Sequence, residues 1–194
     1  MQFIRMNGKK TQQNVFPYGV VEAALAEVLD IEPERMKAFR ARLLHLRNLG
    51  VPSVLPKPGS GRKIAYSLRQ VLEMLFVLVL EDGGFTPRGA KRIGPKMMRA
   101  FESERSRRAL EGLAEEDIYF STVTRTAGGW GASTSGKIIE VEPSSGYGFV
   151  TCVGYGELTH YLENELKQSN SSFLINASVL VAKMEKALTT VLLA

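Results

Sequence analysis

The residues best suited to covalent chemistry are a cysteine and a histidine in the C-terminal third of the chain. Cys152, the only cysteine, lies eight residues before His160, one of two histidines. A thiol beside an imidazole base could act as a nucleophile. No third group that would orient the base and no loop suited to an oxyanion lies nearby, and a lone cysteine in an apolar strand is usually buried. We therefore predict no catalytic residue and no enzyme activity.

Two Gly-Tyr-Gly tripeptides, at residues 146–148 and 154–156, have small residues of the kind that let a backbone approach a phosphate. Dinucleotide-binding loops place their glycines as GxGxxG between a strand and a helix, and this sequence lacks that context. We interpret both tripeptides as turns that flank a strand. One cysteine and two histidines also provide no cluster with metal-ligand spacing. The sequence predicts neither a cofactor nor a metal.

Cationic residues are distributed unevenly along the 194-residue chain. Residues 1–70 hold 12 Lys and Arg against 5 Asp and Glu, a net charge of +7, whereas residues 131–194 hold 4 against 6, a net charge of −2. A basic N-terminal part joined to a mildly acidic C-terminal part indicates a polyanion-binding module that carries another domain. A protein whose surface charge is merely uneven would give the same totals. The positions of the cations along the predicted elements therefore have to distinguish the two interpretations.

The groups best placed to read DNA lie in the helix predicted over residues 34–49. Arginine can bind a guanine edge through two hydrogen bonds, while lysine holds phosphates. On a helical wheel an apolar arc faces the core, two arginines share one flank, and Lys37 and Asn48 lie opposite. Arg35 and Arg42 fall at the edge of the arc, where salt bridges or packing are expected as much as base contacts. A merely solvated amphipathic helix is the alternative interpretation. The residues predicted to face the groove are Lys37, Arg40, Arg47 and Asn48.

Two further basic segments could hold the DNA backbone. Residues 51–64 contain three prolines and two glycines, which predicts a basic loop between two extended pieces. Glycines let such a loop approach DNA closely, although an ordinary surface turn is the alternative. The segment after Thr86 either clamps a phosphate or balances three later glutamates, Glu102, Glu104 and Glu111. The predicted loop contacts are Lys57, Ser60, Arg62 and Lys63, and the predicted phosphate contacts are Thr86, Arg88, Lys91 and Arg92.

Periodicity and helix-end signals predict the elements that must position these groups. Helices are expected at residues 18–29, 34–49, 68–81, from 86 to an interruption at Gly94-Pro95, and at 96–113. Ser67-Leu-Arg-Gln70 is a capping box and predicts that the third of these helices begins at Leu68. Strands are expected at 118–125, 137–141, 148–153 and 173–175, with helices at 158–167 and 177–193. The predicted class is α+β, with a flexible arm at 1–15, a mainly helical DNA-binding domain at 16–115 and a small α+β domain at 116–194.

Two helices joined by a tight turn, a Gly-rich basic loop and another amphipathic helix form the order of a winged helix-turn-helix. Residues 20–93 resemble the DNA-binding domain of MerR-type regulators, and phage excisionases share that core. The resemblance implies that residues 34–49 are the recognition helix, that the loop is the wing, that Tyr66 lies at the DNA interface and that promoter DNA is distorted. The segments that carry the likeness are Ala26-Glu-Val-Leu29-Asp-Ile31, Arg62-Lys63-Ile-Ala-Tyr66-Ser67-Leu68 and Gly84-Phe85-Thr86.

The predicted C-terminal helix has an apolar stripe that could join two subunits. Winged-helix regulators commonly dimerise to read two half-sites, and the negative charge of the C-terminal part argues against a second DNA surface there. Packing on the local strands is the alternative role for the stripe, and binding of an effector is a further role for the domain. The residues predicted to mediate dimerisation are Val181, Met184, Leu188 and Val191.

Together these patterns predict a sequence-specific DNA-binding transcription regulator, either activator or repressor. Its expected partners are double-stranded DNA, a second copy of the chain and the transcription machinery. The longest apolar run, Met74–Leu80, is too short for a membrane helix, so we expect a cytoplasmic, nucleoid-associated protein without membrane contact. The alternatives are a phage-derived excisionase- or packaging-type DNA-architecture factor, or an adaptor whose basic face meets an acidic protein.

Overall fold

The computed structural model describes residues 15–54, 64–112, 117–125, 137–139, 147–154 and 171–193. These residues form helices that pack beside two antiparallel sheets, so the class is α+β as predicted. Of the predicted elements, the arm before Val15 and the helix at 158–167 lie outside the described residues. Among the helices in the described ranges, none combines the length and the apolar character needed to cross a bilayer.

The N-terminal elements surround a two-stranded sheet in which β1 pairs with β2 and Phe16 lies opposite Tyr66. Both strands lead directly into helices, so the short sheet fixes where α1 and α3 begin. These elements are β1 (Val15–Pro17), α1 (Tyr18–Val28), a 3-10 turn (Pro33–Arg35), α2 (Met36–Asn48), β2 (Ala65–Ser67), α3 (Leu68–Asp82) and α4 (Pro87–Glu111).

The C-terminal elements form a four-stranded antiparallel sheet with the strand order β4-β5-β3-β6 and one helix. In its central pairing, Phe120 of β3 lies opposite Cys152 on one side and Ile175 on the other. These elements are β3 (Ile118–Arg125), β4 (Lys137–Ile139), β5 (Tyr147–Gly154), β6 (Ser171–Asn176) and α5 (Ala177–Leu193).

Local signals in the sequence set the ends of the helices. Ser67 caps α3 by accepting a hydrogen bond from the Gln70 amide, while the Gln70 side chain accepts from the Ser67 amide, which confirms the predicted capping box. Thr86 caps α4 with its hydroxyl and Pro87 follows at the first helical position. Gly50, at a φ of +80°, ends α2 in the left-handed region that glycine adopts readily.

The predicted interruption at Gly94-Pro95 is wrong, because α4 continues through both residues to Glu111. Pro95 removes one backbone donor from the helix, but Gly94 sits against α3 with no side chain to separate the two helices. A Cβ at position 94 would lie 2.5 Å from Cγ2 of the fully buried Val77. Close packing of α3 on α4 therefore outweighs the local preference to break.

Gly94→Ala should consequently destabilise the protein, although alanine is the better helix former. Overpacking against a stiff valine costs about 1–3 kcal/mol and the gain in helix propensity is about 1 kcal/mol, so we expect no net gain and a loss of up to about 2 kcal/mol in urea unfolding. Gly19→Ala in α1 is the matched control, because nothing lies within 4 Å of its new Cβ, and it should leave stability unchanged or raise it by up to about 1 kcal/mol. A Gly94→Ala protein more stable than the wild type would refute the packing account, whereas adding Val77→Ala should reduce the penalty of Gly94→Ala.

The hydrophobic core is continuous from α1 to α5 and crosses the domain boundary predicted at residue 116. Phe76 of α3 meets Phe120 of β3 edge to face at 5.8 Å between ring centroids, and it also contacts Phe101 of α4 at 6.3 Å. Helix α5 packs along α1. The N-terminal helices and the four-stranded sheet therefore share one apolar core.

This packing changes the role of the stripe on α5 that was predicted to mediate dimerisation. Val181, Met184 and Leu188 are buried inside the chain, and Val191 is half-buried. They cover the core of their own chain because α1 and β3 lie against this face of α5. The prediction that the stripe forms a dimer contact is thus corrected, since a homodimer would have to use another surface.

Candidate nucleic-acid interface

Helix α2 presents an outward face that is free of acidic side chains. It buries Phe39, Leu43 and Leu46 against the core, and no Asp or Glu occurs between Met36 and Asn48. Lys37 and Asn48 are exposed, as their predicted position opposite the core requires. The other exposed residues of this face are Ala38, Ala41, Leu44 and His45.

The flank of α2 that faces α1 holds the other two residues predicted to enter the groove. Arg40 donates to Glu22 at 2.7 Å, and this hydrogen bond raises the pKa of the Arg40 guanidinium. Arg47 lies over the ring of Tyr18, 5.6 Å from its centroid, a cation–π arrangement. Both arginines therefore bind α1 in the free protein.

The opposite flank of α2 is tied to the end of α3 by Arg42. This guanidinium pairs with Glu81 and with Asp82, each at 2.8 Å, and also donates to the carbonyl of Leu78 at 2.8 Å. Of the two roles expected for Arg42, the salt bridge is confirmed. Arg35 also forms one, at 3.5 Å to Glu32, where both side chains are exposed. Helix α2 is thus held from both sides, which leaves its outward face in a defined orientation.

Tyr66, predicted to lie at the DNA interface, is fully buried, so that prediction is corrected. The β1–β2 pairing turns its ring inward, where it lies 6.4 Å from Tyr18 between centroids. Its hydroxyl finds no hydrogen-bond partner among the described residues, and burial raises the pKa of the phenol. Tyr66 therefore supports the packing of α1 and does not reach the surface.

The second basic segment borders the C-terminal end of α2. Thr86, Arg88, Lys91 and Arg92 are all exposed, and the Lys91 Nζ lies 3.7 Å from where a Cβ on Gly50 would stand. Residues 87–101 of α4 contain five Lys and Arg and no acidic residue. The Thr86 hydroxyl is engaged as the helix cap. The first turns of α4 therefore extend the positive surface of α2.

The three glutamates that could have balanced this segment have other partners. Glu102 pairs with Arg69 at 3.3 Å, Glu104 with Arg107 and Arg108, and Glu111 with Arg107. These arginines all lie outside the segment from Thr86 to Arg92.

Two side chains of α3 fix both ends of the predicted wing. The nearly buried Glu73 accepts from the Ser53 amide at 2.6 Å and from its hydroxyl at 3.0 Å. Gln70 donates to the Val54 carbonyl on one side and accepts from the Ser67 amide on the other. The predicted contacts between these ends, Lys57, Ser60, Arg62 and Lys63, lie outside the described residues.

Comparison of the chain with protein-family models finds no match, and comparison with curated proteins finds none either. No group of three His, Cys, Asp or Glu within the described ranges is arranged to hold a metal ion. The geometry of the described residues is therefore the basis for assigning a function.

Sequence reasoning missed the small and apolar residues that occupy the centre of the outward face. Ala38, Ala41 and Leu44 are exposed there together with His45. The helical period that identifies the buried arc also places these residues opposite it, so the signal was present. Arg40 and Arg47 lie beside these residues, on the flank that faces α1.

Proposed function

We propose that this protein is a sequence-specific DNA-binding transcription regulator that reads the major groove with α2 in a winged helix-turn-helix arrangement. The observation that supports this most is the acid-free outward face of α2, which the first turns of α4 continue. Duplex DNA is a regular polyanion whose major groove admits one helix. The protein is proposed to act without catalysis on the nucleoid in the cytoplasm, as a homodimer that contacts the transcription machinery.

The residues of the surface divide into two roles in this proposal. Lys37 and Asn48 face the groove, whereas Arg88, Lys91 and Arg92 face phosphates beside it, as do the predicted loop cations. Arg40 and Arg47 would reach DNA only by exchanging Glu22 and the Tyr18 ring for a phosphate. For Arg40 that exchange would leave Glu22, whose side chain is only 12% exposed, without its partner.

Enrichment of duplexes from a random-sequence pool, followed by titration of the best duplex at several salt concentrations, tests this function. We expect a linear fall of log K with log salt, because each phosphate contact releases counterions. Removing two contacts with Arg88→Ala and Lys91→Ala should reduce the slope by about 1.8 and weaken all sequences equally. Lys183→Ala with Lys186→Ala, on the exposed side of α5, removes the same charge and should leave the slope unchanged.

The same measurements discriminate the alternative functions. Cooperative coating of long DNA with little effect on transcription would favour an excisionase- or packaging-type architecture factor. The proposal would be contradicted by DNA affinity that is weak and independent of sequence, together with equal slopes of log K against log salt for both double variants. That result would favour an adaptor with an acidic partner.

A further inference from the structure

Three residues of the outward face of α2 form an apolar ridge. Ala38, Ala41 and Leu44 are each three residues apart, which places them in one row along the helix surface, and all three are exposed. Leu44 is the largest, with 52% of its surface exposed. A single exposed leucine is unremarkable in a protein. Here three apolar residues form a row on a helix that has no acidic residue. This combination suits a partner that is negatively charged outside and presents apolar groups between its charges.

The arginines of α2 are held away from this ridge. Arg40 and Arg47 contact Glu22 and Tyr18 on one flank, and Arg42 contacts Glu81, Asp82 and Leu78 on the other. Guanine is read mainly by the planar donor fork of an arginine or by lysine. With all three guanidinium groups in contact at the flanks, the outward face of α2 offers Ala38, Ala41 and Leu44 to the floor of the groove beside Lys37 and Asn48.

The only apolar group that base pairs present in the major groove is the C5-methyl group of thymine. We propose that Ala41 and Leu44 contact thymine methyl groups, so that the half-site bound by α2 is centred on A·T pairs. This inference rests on the proposed function and specifies the class of DNA sequence. Positive charge beyond the C-terminal end of the ridge, from Lys91 beside Gly50, complements the phosphates that border those bases.

Replacing thymine with deoxyuridine tests this directly, because the exchange removes one methyl group and alters no protein residue. The duplex enriched from a random pool is compared with copies that carry deoxyuridine at each central thymine in turn. We expect about a fourfold loss of affinity for each contacted methyl, which corresponds to the burial of one carbon group. Leu44→Ala should weaken binding to the thymine duplex and abolish the difference at the thymine it contacts.

Leu192→Ala is the matched control, since Leu192 of α5 is also 52% exposed. It should bind both duplexes as the wild type does. This inference would be overturned, and the proposed function left standing, by either of two results. One is that the enriched duplexes are centred on G·C pairs, and the other is that the wild-type affinity is the same for thymine and deoxyuridine duplexes. Unchanged DNA binding by Leu44→Ala would assign the ridge to a protein partner and also overturn it. Failure to enrich any duplex would refute both.

Discussion

Phe76→Ala is expected to lower the free energy of unfolding by about 3–5 kcal/mol, the usual cost of emptying a large buried aromatic site. Phe76 is fully buried and its ring touches both Phe101 of α4 and Phe120 of β3. Removing the ring therefore leaves a cavity where α3 and α4 meet the four-stranded sheet, and it removes two aromatic contacts.

Urea unfolding followed by circular dichroism measures this loss. Because the core is continuous from α1 to α5, we expect one cooperative transition whose midpoint falls while its slope is kept. Leu110→Ala is the control, since Leu110 is 89% exposed and its loss should change stability by no more than about 0.5 kcal/mol. Two separate transitions, of which Phe76→Ala shifts only one, would show that the predicted boundary at residue 116 divides independent folding units.

Glu104→Gln should be the second strongly destabilising change, because it removes the charge of a carboxylate that pairs with a buried arginine. Arg108 is only 3% exposed, and its Nε donates to Glu104 at 2.8 Å. Breaking one side of a buried ion pair typically costs about 3–5 kcal/mol, and we expect a loss near the lower end because the Glu104 side chain is 19% exposed. Arg108→Met removes the charge that needs a partner, so it should cost less than Glu104→Gln.

The same pair gives the stability a defined dependence on pH. Hydrogen bonds from Arg107 and then from Arg108 lower the pKa of Glu104 from 4.5 to about 2. Because the folded-state pKa lies below the unfolded one, the stabilisation is complete above about pH 5 and is lost as the pH falls towards 2. Thermal melts between pH 6 and 2 should show a smaller fall in stability for Glu104→Gln than for the wild type. An equal fall in both proteins would show that Glu104 does not carry this dependence.

Signals that act within a few residues allowed much of the fold to be predicted from the sequence. The capping box at Ser67 and Gln70 marked the start of α3, and the β-branched run marked β3 over residues 118–125. The interruption at Gly94-Pro95 was predicted wrongly, because the contact between Gly94 and Val77 that keeps α4 continuous is a tertiary one. In α3 and β3, where no distant neighbour opposed it, the local preference was correct.

The candidate site was predictable in outline but not in its pairings. The period of α2 placed Lys37 and Asn48 outward, and both are exposed. It could not reveal that Arg40 meets Glu22 or that Arg47 meets Tyr18, because those contacts depend on how α1 crosses α2. The burial of Tyr66 likewise depends on its pairing partner in β1.

The packing of α5 along α1 also bears on how the protein is made. The 148 residues between Val28 and Ala177 separate the two helices along the chain, and synthesis at 5–20 residues per second takes roughly 7–30 s to cover them. During that time the side of α1 that α5 covers in the finished protein stays exposed. A ribosome-bound chain therefore has a complete α2 that packs against an incompletely packed α1. On the proposed function, nascent chains should therefore not compete with finished protein for DNA.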